Sequence, residues 1–281
     1  MSNAECTAFL KWALPRLGLQ WDGFARVRRQ VCKRLGARIA ALHLSGIAAY
    51  QERLASDAEE WRILDECCRI TISRFFRDRP VFEPLRTRVL PAIAARALRE
   101  QREARCWSAG CASGEEPYTI RMLWDLDIAE AFPGAALSIT ATDTDDEMLA
   151  RAREGCYRAS SLRELPPEMI ANGFEGAGTR FCVKSRHRQG VRFLRQDLRS
   201  AAPGGLFDLI LCRNVAFTYF ALPLQQQALG RLLEHLLPGG FIVIGKNERL
   251  PQAPPNVTPL DGAPQVFRLQ ARTATPSVPL A

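Results

Sequence analysis

Apolar residues recur every three or four positions through the first part of the chain, from Leu10 to about Leu90, as they do in amphipathic helices. Segments such as Gly23 to Leu35, Gly46 to Leu54 and Glu59 to Ile72 follow this spacing, and strand signals are absent there. The pattern predicts a small N-terminal all-α domain, to which we assign residues 1–80.

The remaining residues, 81–281, alternate short apolar runs with helical segments, which is typical of a mostly parallel sheet covered on both faces. The predicted strands are Arg105 to Ala109, Leu137 to Thr142, Val191 to Arg195, Phe207 to Cys212, Phe241 to Gly245 and Val266 to Leu269. The predicted helices are Glu116 to Leu126, Asp146 to Glu154 and Leu224 to Leu236, the last ended by Pro238-Gly239-Gly240. No helix separates the last two strands, so the final strand is expected to pair antiparallel.

The segment between Ser160 and Gly190 departs from this alternation. It contains three closely spaced glycines and then a basic stretch from Lys184 to Arg188, and we interpret it as a short inserted subdomain near 160–190. After about residue 272 the chain ends in ATPSVPLA, which is typical of a disordered tail.

The formal net charge of +8 suits acidic partners such as nucleic acid, a membrane surface or an acidic protein. The segment Arg26 to Arg38 carries several of these charges, either as a solvated helix face or as a docking surface for an acidic helical partner. It contains no aromatic residues between the basic ones, which disfavours nucleic acid. No apolar run reaches the roughly 20 residues that span a bilayer, and the N-terminus lacks the apolar core of a signal peptide. We therefore expect a cytoplasmic protein that does not insert into membranes.

The nine cysteines are scattered, and most are expected to be buried reduced thiols, including Cys32, Cys106, Cys156 and Cys212. The three histidines lie away from any cysteine pair at ligand spacing, so no metal site is expected.

Small residues fill the turn within Cys106 to Glu116, which reads CWSAGCASGEE. Without side chains in the way, the backbone can approach a ligand closely. The spacing of Gly110 and Gly114 fits a dinucleotide fingerprint poorly. Glu115 and Glu116 would repel a pyrophosphate but attract an ammonium or sulfonium charge, which favours S-adenosylmethionine. An ordinary strand-to-helix turn is the alternative.

Polar residues also follow the next strands, at the edge where open α/β sheets bind ligands. Asp143 is a candidate for accepting both ribose hydroxyls, while Asp145 or Asp146 caps the following helix. Asp197 is a candidate for the exocyclic amine of an adenine, with Leu198 against the ring.

Two arginines are further candidates. Arg213, followed by Asn214, leaves an apolar strand at the same edge of the sheet. Arg77 lies in TISRFFRD, where the helical region meets the sheet, and could orient a substrate carboxylate or pair with Glu116.

Taken together, SRFFRD, WSAGCASGEEPY, ATDTDDEMLARAREGCY followed by SLRELPPE, FDLILCRNV and LLPGGFIVIG resemble the chemotaxis receptor methyltransferases of CheR type, in the family's order. The resemblance implies a class I methyltransferase fold, a Rossmann-like doubly wound sheet with an antiparallel last strand, behind a small helical domain. It implies transfer of a methyl group from S-adenosylmethionine to a receptor glutamate, with S-adenosylhomocysteine as the product. A monomer acting on a chemoreceptor-like protein is expected.

Matched residue by residue, the resemblance assigns catalytic roles to Arg77 and Tyr219. It assigns cofactor contacts to Thr71, Ser73, Arg77, Glu116, Asp143, Asp197, Leu198, Arg213 and Asn214.

The sequence departs from the family in several places. RNVAFTYF has one extra residue before its tyrosine, Gly245-Lys246-Asn247-Glu248 replaces Gly-His-Ser-Glu, and Asp197 replaces a common asparagine. The family's inserted subdomain, which can hold a receptor's tail peptide, is short here, so we expect no such tether and leave open an acceptor outside chemotaxis. The alternatives are a methyltransferase of this fold acting on RNA or a small molecule, and a cofactor-binding regulatory module without turnover.

Overall fold

The computed structural model describes residues 2–270, and the tail predicted to be disordered lies outside them. Its α-helices are α1 (Asn3–Ala13), α2 (Trp21–Phe24), α3 (Arg28–Ala41), α4 (Ile47–Ser56), α5 (Ala58–Cys67), α6 (Arg79–Pro84), α7 (Leu90–Arg99), α8 (Glu115–Leu123), α9 (Ala129–Ala131), α10 (Asp146–Glu154), α11 (Ala159–Leu162), α12 (Pro167–Gly173), α13 (Ala216–Tyr219) and α14 (Leu222–Glu234). Its strands are β1 (Ala104–Ala109), β2 (Leu137–Asp143), β3 (Cys156–Arg158), β4 (Phe174–Ala177), β5 (Arg180–Val183), β6 (Val191–Arg195), β7 (Phe207–Cys212), β8 (Leu236–Ile244), β9 (Val257–Leu260) and β10 (Ala263–Leu269).

The described chain divides into two compact units. Unit one consists of residues 2–72 together with 215–225, and unit two consists of residues 73–214 together with 226–270. Compact units reflect packing alone, so the division into domains 1–80 and 81–281 stays a prediction.

Unit one is helical, and its apolar stripes meet in a core that includes Phe9, Leu35 and Tyr50. A disulfide between Cys6 and Cys32 joins α1 to α3, so the prediction of a reduced thiol at Cys32 is wrong. The spacing of apolar residues indicated that Cys32 is buried, but it carries no information about which cysteine lies opposite.

The segment 215–225 packs against α2 within unit one. The Gln20 amide donates a hydrogen bond of 2.9 Å to the Tyr219 carbonyl oxygen. A Cβ atom at Gly23 would lie 2.1 Å from the Thr218 carbonyl oxygen, so this approach requires glycine. The Tyr219 ring also lies 5.0 Å from the Phe24 ring.

The main sheet of unit two has the strand order β6-β2-β1-β7-β8-β10-β9. Neighbours from β6 to β8 run parallel, and β10 pairs antiparallel with β8, which confirms the predicted fold class. Strand β9 adds a further antiparallel edge that the sequence pattern did not predict. It is short and interrupted by Pro259, which weakens the strand pattern.

The stretch Pro238-Gly239-Gly240 lies inside β8, so the prediction that it ends the preceding helix is wrong. Helix α14 ends earlier, at Glu234. Pairing with β7 shifts from Leu236 opposite Phe207 to Phe241 opposite Leu209, and the Pro-Gly-Gly stretch forms the resulting irregularity. A local turn signal in the sequence cannot distinguish a helix end from a bulge in a strand.

A second sheet has the strand order β3-β5-β4; β4 and β5 lie in the segment near 160–190 that was predicted to be an inserted subdomain, whereas β3 lies just before it. A disulfide links Cys156 of β3 to Cys182 of β5, so the prediction of a reduced thiol at Cys156 is wrong. The two cysteines face each other directly in the antiparallel register, with Cα atoms 4.0 Å apart. Cys106 and Cys212 are buried thiols, as predicted.

Among the helices of residues 2–270, none combines the length and the apolar character that crossing a bilayer requires.

Candidate active site

Four neighbouring parallel strands bring candidate residues to one edge of the main sheet. Strands β6, β2, β1 and β7 are adjacent and run in the same direction, so their carboxyl ends lie side by side. Glu116 follows β1, Asp143 ends β2, Asp197 follows β6 and Arg213 follows β7. This is the edge at which open α/β sheets bind ligands.

The loop between β1 and α8 is tied to the end of β2. The amides of Gly110 and Cys111 donate hydrogen bonds of 2.8 and 3.0 Å to the Thr142 carbonyl oxygen. The Ala112 amide donates a bond of 2.8 Å to Asp143 Oδ2, with Ala112 in the left-handed region at a φ of 46°. Asp143 therefore holds the loop in a conformation that alanine rarely adopts.

Asp143 is mostly buried at this edge, and burial raises the pKa of its carboxyl group. Its Oδ1 accepts a hydrogen bond of 3.0 Å from the Asp145 amide. Asp145 in turn caps α10 by accepting from the amides of Glu147 and Met148, as predicted for Asp145 or Asp146. The Thr144 amide is a third backbone donor to this carboxylate, and the acceptor capacity that remains fits a ribose hydroxyl.

Gly114 serves the packing of this loop. Its φ is 90°, and an added Cβ atom would lie 2.9 Å from Ala152 Cβ on α10. The small side chain at this position therefore lets α10 approach the loop, in addition to keeping the loop accessible.

Arg213 and Glu116 form a buried ion pair behind the loop. Arg213 Nη1 lies 3.0 Å from Glu116 Oε2, and the two side chains are 3% and 13% exposed. The other carboxylate oxygen of Glu116 accepts a hydrogen bond of 2.7 Å from Ser108 Oγ. Arg213 Nη2 also contacts Asp78 and the carbonyl oxygen of Arg77, so several segments meet at this guanidinium.

Arg213 Nε is buried and has no hydrogen-bond partner among residues 2–270. A buried donor without an acceptor is unfavourable, and a ligand carboxylate would satisfy it. The amino-acid end of S-adenosylmethionine carries such a carboxylate beside an ammonium group, for which the Glu116 carboxylate is an acceptor. The donors and acceptors at this edge therefore fit that cofactor.

Arg77 lies between two residues with unusual backbone conformations. Phe76 and Asp78 have φ angles of 56° and 63°, in the left-handed region that bulky side chains avoid. Phe76 is fixed by burial and by a hydrogen bond of 3.3 Å from its amide to Thr119 Oγ1. Such strain clusters at functional sites, where the surrounding structure maintains it.

Asn214 is held by the loop after β8. Its amide and that of Gly245 donate hydrogen bonds of 2.9 and 2.6 Å to Glu248 Oε2. A Cβ atom at Gly245 would lie 2.9 Å from Asn214 Oδ1, so a larger residue there would force the Asn214 or Glu248 side chain to move. In the altered Gly-Lys-Asn-Glu stretch, the two residues that make these contacts are therefore Gly245 and Glu248.

Asp197 forms an ion pair with Arg199, with Nη2 2.8 Å from Oδ2. Leu198 is buried, and its carbonyl oxygen accepts a hydrogen bond of 2.6 Å from Arg231. A contact between Asp197 and an adenine amine would compete with Arg199, and it stays a prediction.

The remaining candidates are divided between the two units. Thr71 and Tyr219 belong to unit one, whereas Ser73 and Arg77 belong to unit two. Ser73 forms a side-chain hydrogen bond with Glu115. The roles assigned to these four residues stay predictions.

Residues 71–265 match the family described as CheR methyltransferase, SAM binding domain. The chain belongs to the CheR methyltransferase family. This match confirms both the resemblance and S-adenosylmethionine as the cofactor of the domain.

The similar proteins differ in length. The probable chemotaxis protein methyltransferase of Rhizobium etli is 36% identical over 230 residues, covering 78% of this chain and 84% of that one. Chemotaxis protein methyltransferase 1 of Pseudomonas aeruginosa is 36% identical over 199 residues, covering 69% and 71%. An uncharacterized 104.1 kDa protein of Rhodobacter capsulatus is 29% identical over 250 residues, covering 89% of this chain but only 26% of that protein. This chain thus spans about a quarter of the longest of these three relatives.

Among solved structures, the N-methyltransferase NodS from Bradyrhizobium japonicum matches with a TM-score of 0.38 and 14% identity, covering 69% of this chain and 99% of that one.

Sequence reasoning missed several residues that shape the CheR-family site, namely Asp78, Ser108 and Glu248. Asp78 and Ser108 contact the side chains of Arg213 and Glu116, and Glu248 accepts from backbone amides; such supporting contacts follow no fixed spacing along the sequence. For Glu248, the glycine three residues earlier, Gly245, was the one feature of the sequence that indicated a close contact in this loop. No group of three or more His, Cys, Asp or Glu residues in the described part of the chain is placed to hold a metal ion.

Proposed function

We propose that this chain is a protein-glutamate O-methyltransferase that transfers a methyl group from S-adenosylmethionine to glutamate side chains of a chemoreceptor-like protein. The observation that carries the proposal is the arrangement of Glu116, Asp143 and Arg213 around a loop of small residues at the carboxyl ends of β1, β2 and β7. Membership of the CheR family and the names of the Rhizobium and Pseudomonas relatives support the acceptor class.

In this proposal the amino-acid end of the cofactor lies between Glu116 and Arg213, and Asp143 accepts the ribose hydroxyls. Asp197 and Leu198 bind the adenine. Thr71, Ser73 and Asn214 complete the cofactor contacts, while Arg77 and Tyr219 lie at the reacting atoms.

The reaction needs no general base, because a glutamate side chain is already ionised at neutral pH. When bound, the cofactor supplies an electrophilic methyl group: a carboxylate oxygen forms the new C–O bond as the C–S bond breaks, and sulfur keeps the electron pair. The contribution of the protein is to orient the acceptor in line with that bond. The guanidinium of Arg77 suits this task because it binds a carboxylate with defined geometry.

The acceptor is proposed to dock on α3, where the predicted basic segment has two different roles. Arg38 turns inward to Glu60, at 2.6 Å, and Arg34 donates hydrogen bonds to backbone carbonyls of residues 67 and 69. Arg26, Arg29 and Lys33 remain exposed. Arg29 and Lys33 are four residues apart on one side of α3, and Arg26 lies just before the helix, so this end of α3 suits an acidic helix.

The direct test is incubation of the chain with methyl-labelled cofactor and a purified chemoreceptor cytoplasmic fragment. Glutamate methyl esters are hydrolysed by mild base, so the proposal predicts label that base releases as methanol. Label on the fragment that survives base would overturn it, as would a fragment that stays unlabelled while RNA or a small molecule added in a parallel incubation is labelled. Tight cofactor binding without transfer to any acceptor would instead indicate a regulatory module.

The docking surface is tested by charge reversal at Arg26 or Arg29, one residue at a time, which should raise the KM for the fragment and leave cofactor affinity unchanged. Arg99→Glu is the matched control, because Arg99 is exposed on α7 in unit two. An equal rise in KM in the control would show that only the net charge matters.

A further inference from the structure

Glu115 is a buried carboxylate beside the cofactor loop, and neither the motif comparison nor the proposed mechanism assigns it a role. Glu115 is the first residue of α8, directly after Gly114, and it is only 2% exposed. Burial raises the pKa of its carboxyl group. A carboxylate is rarely buried in this way unless hydrogen bonds compensate for its lost hydration.

The compensating donors come from two segments as well as from its own amide. Ser113 Oγ lies 3.0 and 2.9 Å from the two carboxylate oxygens of Glu115. The side chain of Ser73 and the Glu115 amide are further hydrogen-bond donors to this carboxylate. Glu115 therefore joins the cofactor loop to the segment that precedes Arg77.

Ser113 is held from both sides. Its hydroxyl donates to Glu115, while its carbonyl oxygen accepts a hydrogen bond of 2.7 Å from the Tyr157 hydroxyl. It lies between Ala112 and Gly114, both in the left-handed region at φ angles of 46° and 90°. The hydrogen bonds at the Ser113 hydroxyl and at its carbonyl oxygen thus hold the loop in place, although Ala112 has a strained backbone conformation.

We propose that Glu115 is a positioning residue of the cofactor site, which acts through Ser113 and Ser73 to keep the β1–α8 loop in its binding conformation. The identity of the ligand rests on the proposed function, whereas the coupling between Glu115 and Ser113 rests on the hydrogen bonds alone. Glutamine has the same shape as glutamate, but its amide nitrogen donates and cannot accept. In Glu115→Gln the hydrogen bonds from Ser113 and Ser73 therefore lose their charged acceptor, and a hydroxyl that faces the amide nitrogen has to accept instead of donate.

The test compares Glu115→Gln, Ser113→Ala and the double variant, using the full chain and calorimetric titration with S-adenosylhomocysteine. Each single variant should raise the Kd by about tenfold, the effect of losing one hydrogen bond to a charged group. The double variant should bind no more weakly than Glu115→Gln alone, since Glu115→Gln already weakens the contact that Ser113→Ala removes. With acceptor present, the KM for the cofactor should rise while kcat at saturation stays within about twofold of the parent value.

Glu147→Gln is the matched control, because Glu147 is exposed in the first turn of α10. An unchanged Kd in Glu115→Gln together with a lower melting temperature would reduce Glu115 to a structural role and overturn the proposal. Additive effects in the double variant would also overturn it. If Glu115→Gln fails to fold, Ser113→Ala provides the test, because it removes the contact with Glu115 by deleting a single hydroxyl. An unchanged Kd in Ser113→Ala would then overturn the proposal. A parent chain that binds S-adenosylhomocysteine but methylates no receptor would contradict the proposed function. The role of Glu115 would still be decided by the binding measurements, which need no methyl acceptor.

Discussion

Arg213 pairs with Glu116 across the carboxyl ends of β7 and β1, with 3.0 Å between Nη1 and Oε2 and only 3% of the arginine side chain exposed. The Phe82 ring covers the guanidinium at 4.7 Å from its centroid. Because both charges are largely removed from water, each depends on the other for compensation.

Replacing Arg213 with methionine should lower the free energy of unfolding by about 3 kcal/mol, because Glu116 is left buried without its partner. Adding Glu116→Leu to that variant should recover part of the loss. Denaturant unfolding of both single variants and of the double variant measures the coupling. Losses that simply add would show that the two residues contribute independently.

Much of this site follows from the sequence, because small residues and charges placed directly after apolar strands mark the binding edge of a parallel sheet. Asp143, Glu116 and Arg213 were identifiable for that reason. The hydrogen-bond partners of these residues were not identifiable. Ser108 contacts Glu116 only because the turn after β1 brings the start of α8 back beside the strand. The fold behaves similarly, since apolar periodicity predicted the central strands, whereas β9 and the bulge at Pro238 depend on pairing with distant strands.

Gly245→Ala should destabilise the protein by about 1 to 3 kcal/mol, because the new methyl group would press on Asn214 Oδ1 and on Glu248 Oε2. Gly230→Ala is the matched control. A Cβ atom at Gly230 meets nothing within 4 Å, and alanine is the better helix former. Thermal unfolding of the two variants should shift in opposite directions, and equal shifts would contradict the close approach seen at Gly245.

Exchanging Cys156 and Cys182 for serine should lower stability under oxidising conditions by about 3 kcal/mol, as expected for a crosslink that closes a loop of this length. The separation of the two cysteines is 26 residues. Cys67→Ser, which removes a partly exposed thiol outside the disulfides, is the control. Ready alkylation of Cys156 and Cys182 in the unreduced native protein would show that this bond does not form.

Glu60 gives unit one a pH dependence of known sign. Hydrogen bonds from Arg38 lower the pKa of its carboxyl group, with Tyr50 contributing a further bond of 2.7 Å. Stability that comes from a lowered pKa is present above the unfolded-state value of about 4.3 and is lost as the pH falls through the folded-state value. Glu60→Gln should therefore cost about 3 kcal/mol at neutral pH and progressively less in acid. Urea unfolding across the acid range checks this, and a cost that does not change with pH would contradict it.

The most direct test of the account is the chemistry of the methylated product. The purified chain is incubated with S-adenosylmethionine and a chemoreceptor cytoplasmic fragment, and peptides of the fragment are analysed by mass spectrometry before and after mild base. The account predicts single methyl groups on glutamate side chains, removed by base and absent when Asp143→Ala replaces the parent chain. Methyl groups on other side chains, or glutamate esters formed equally well by Asp143→Ala, would contradict it.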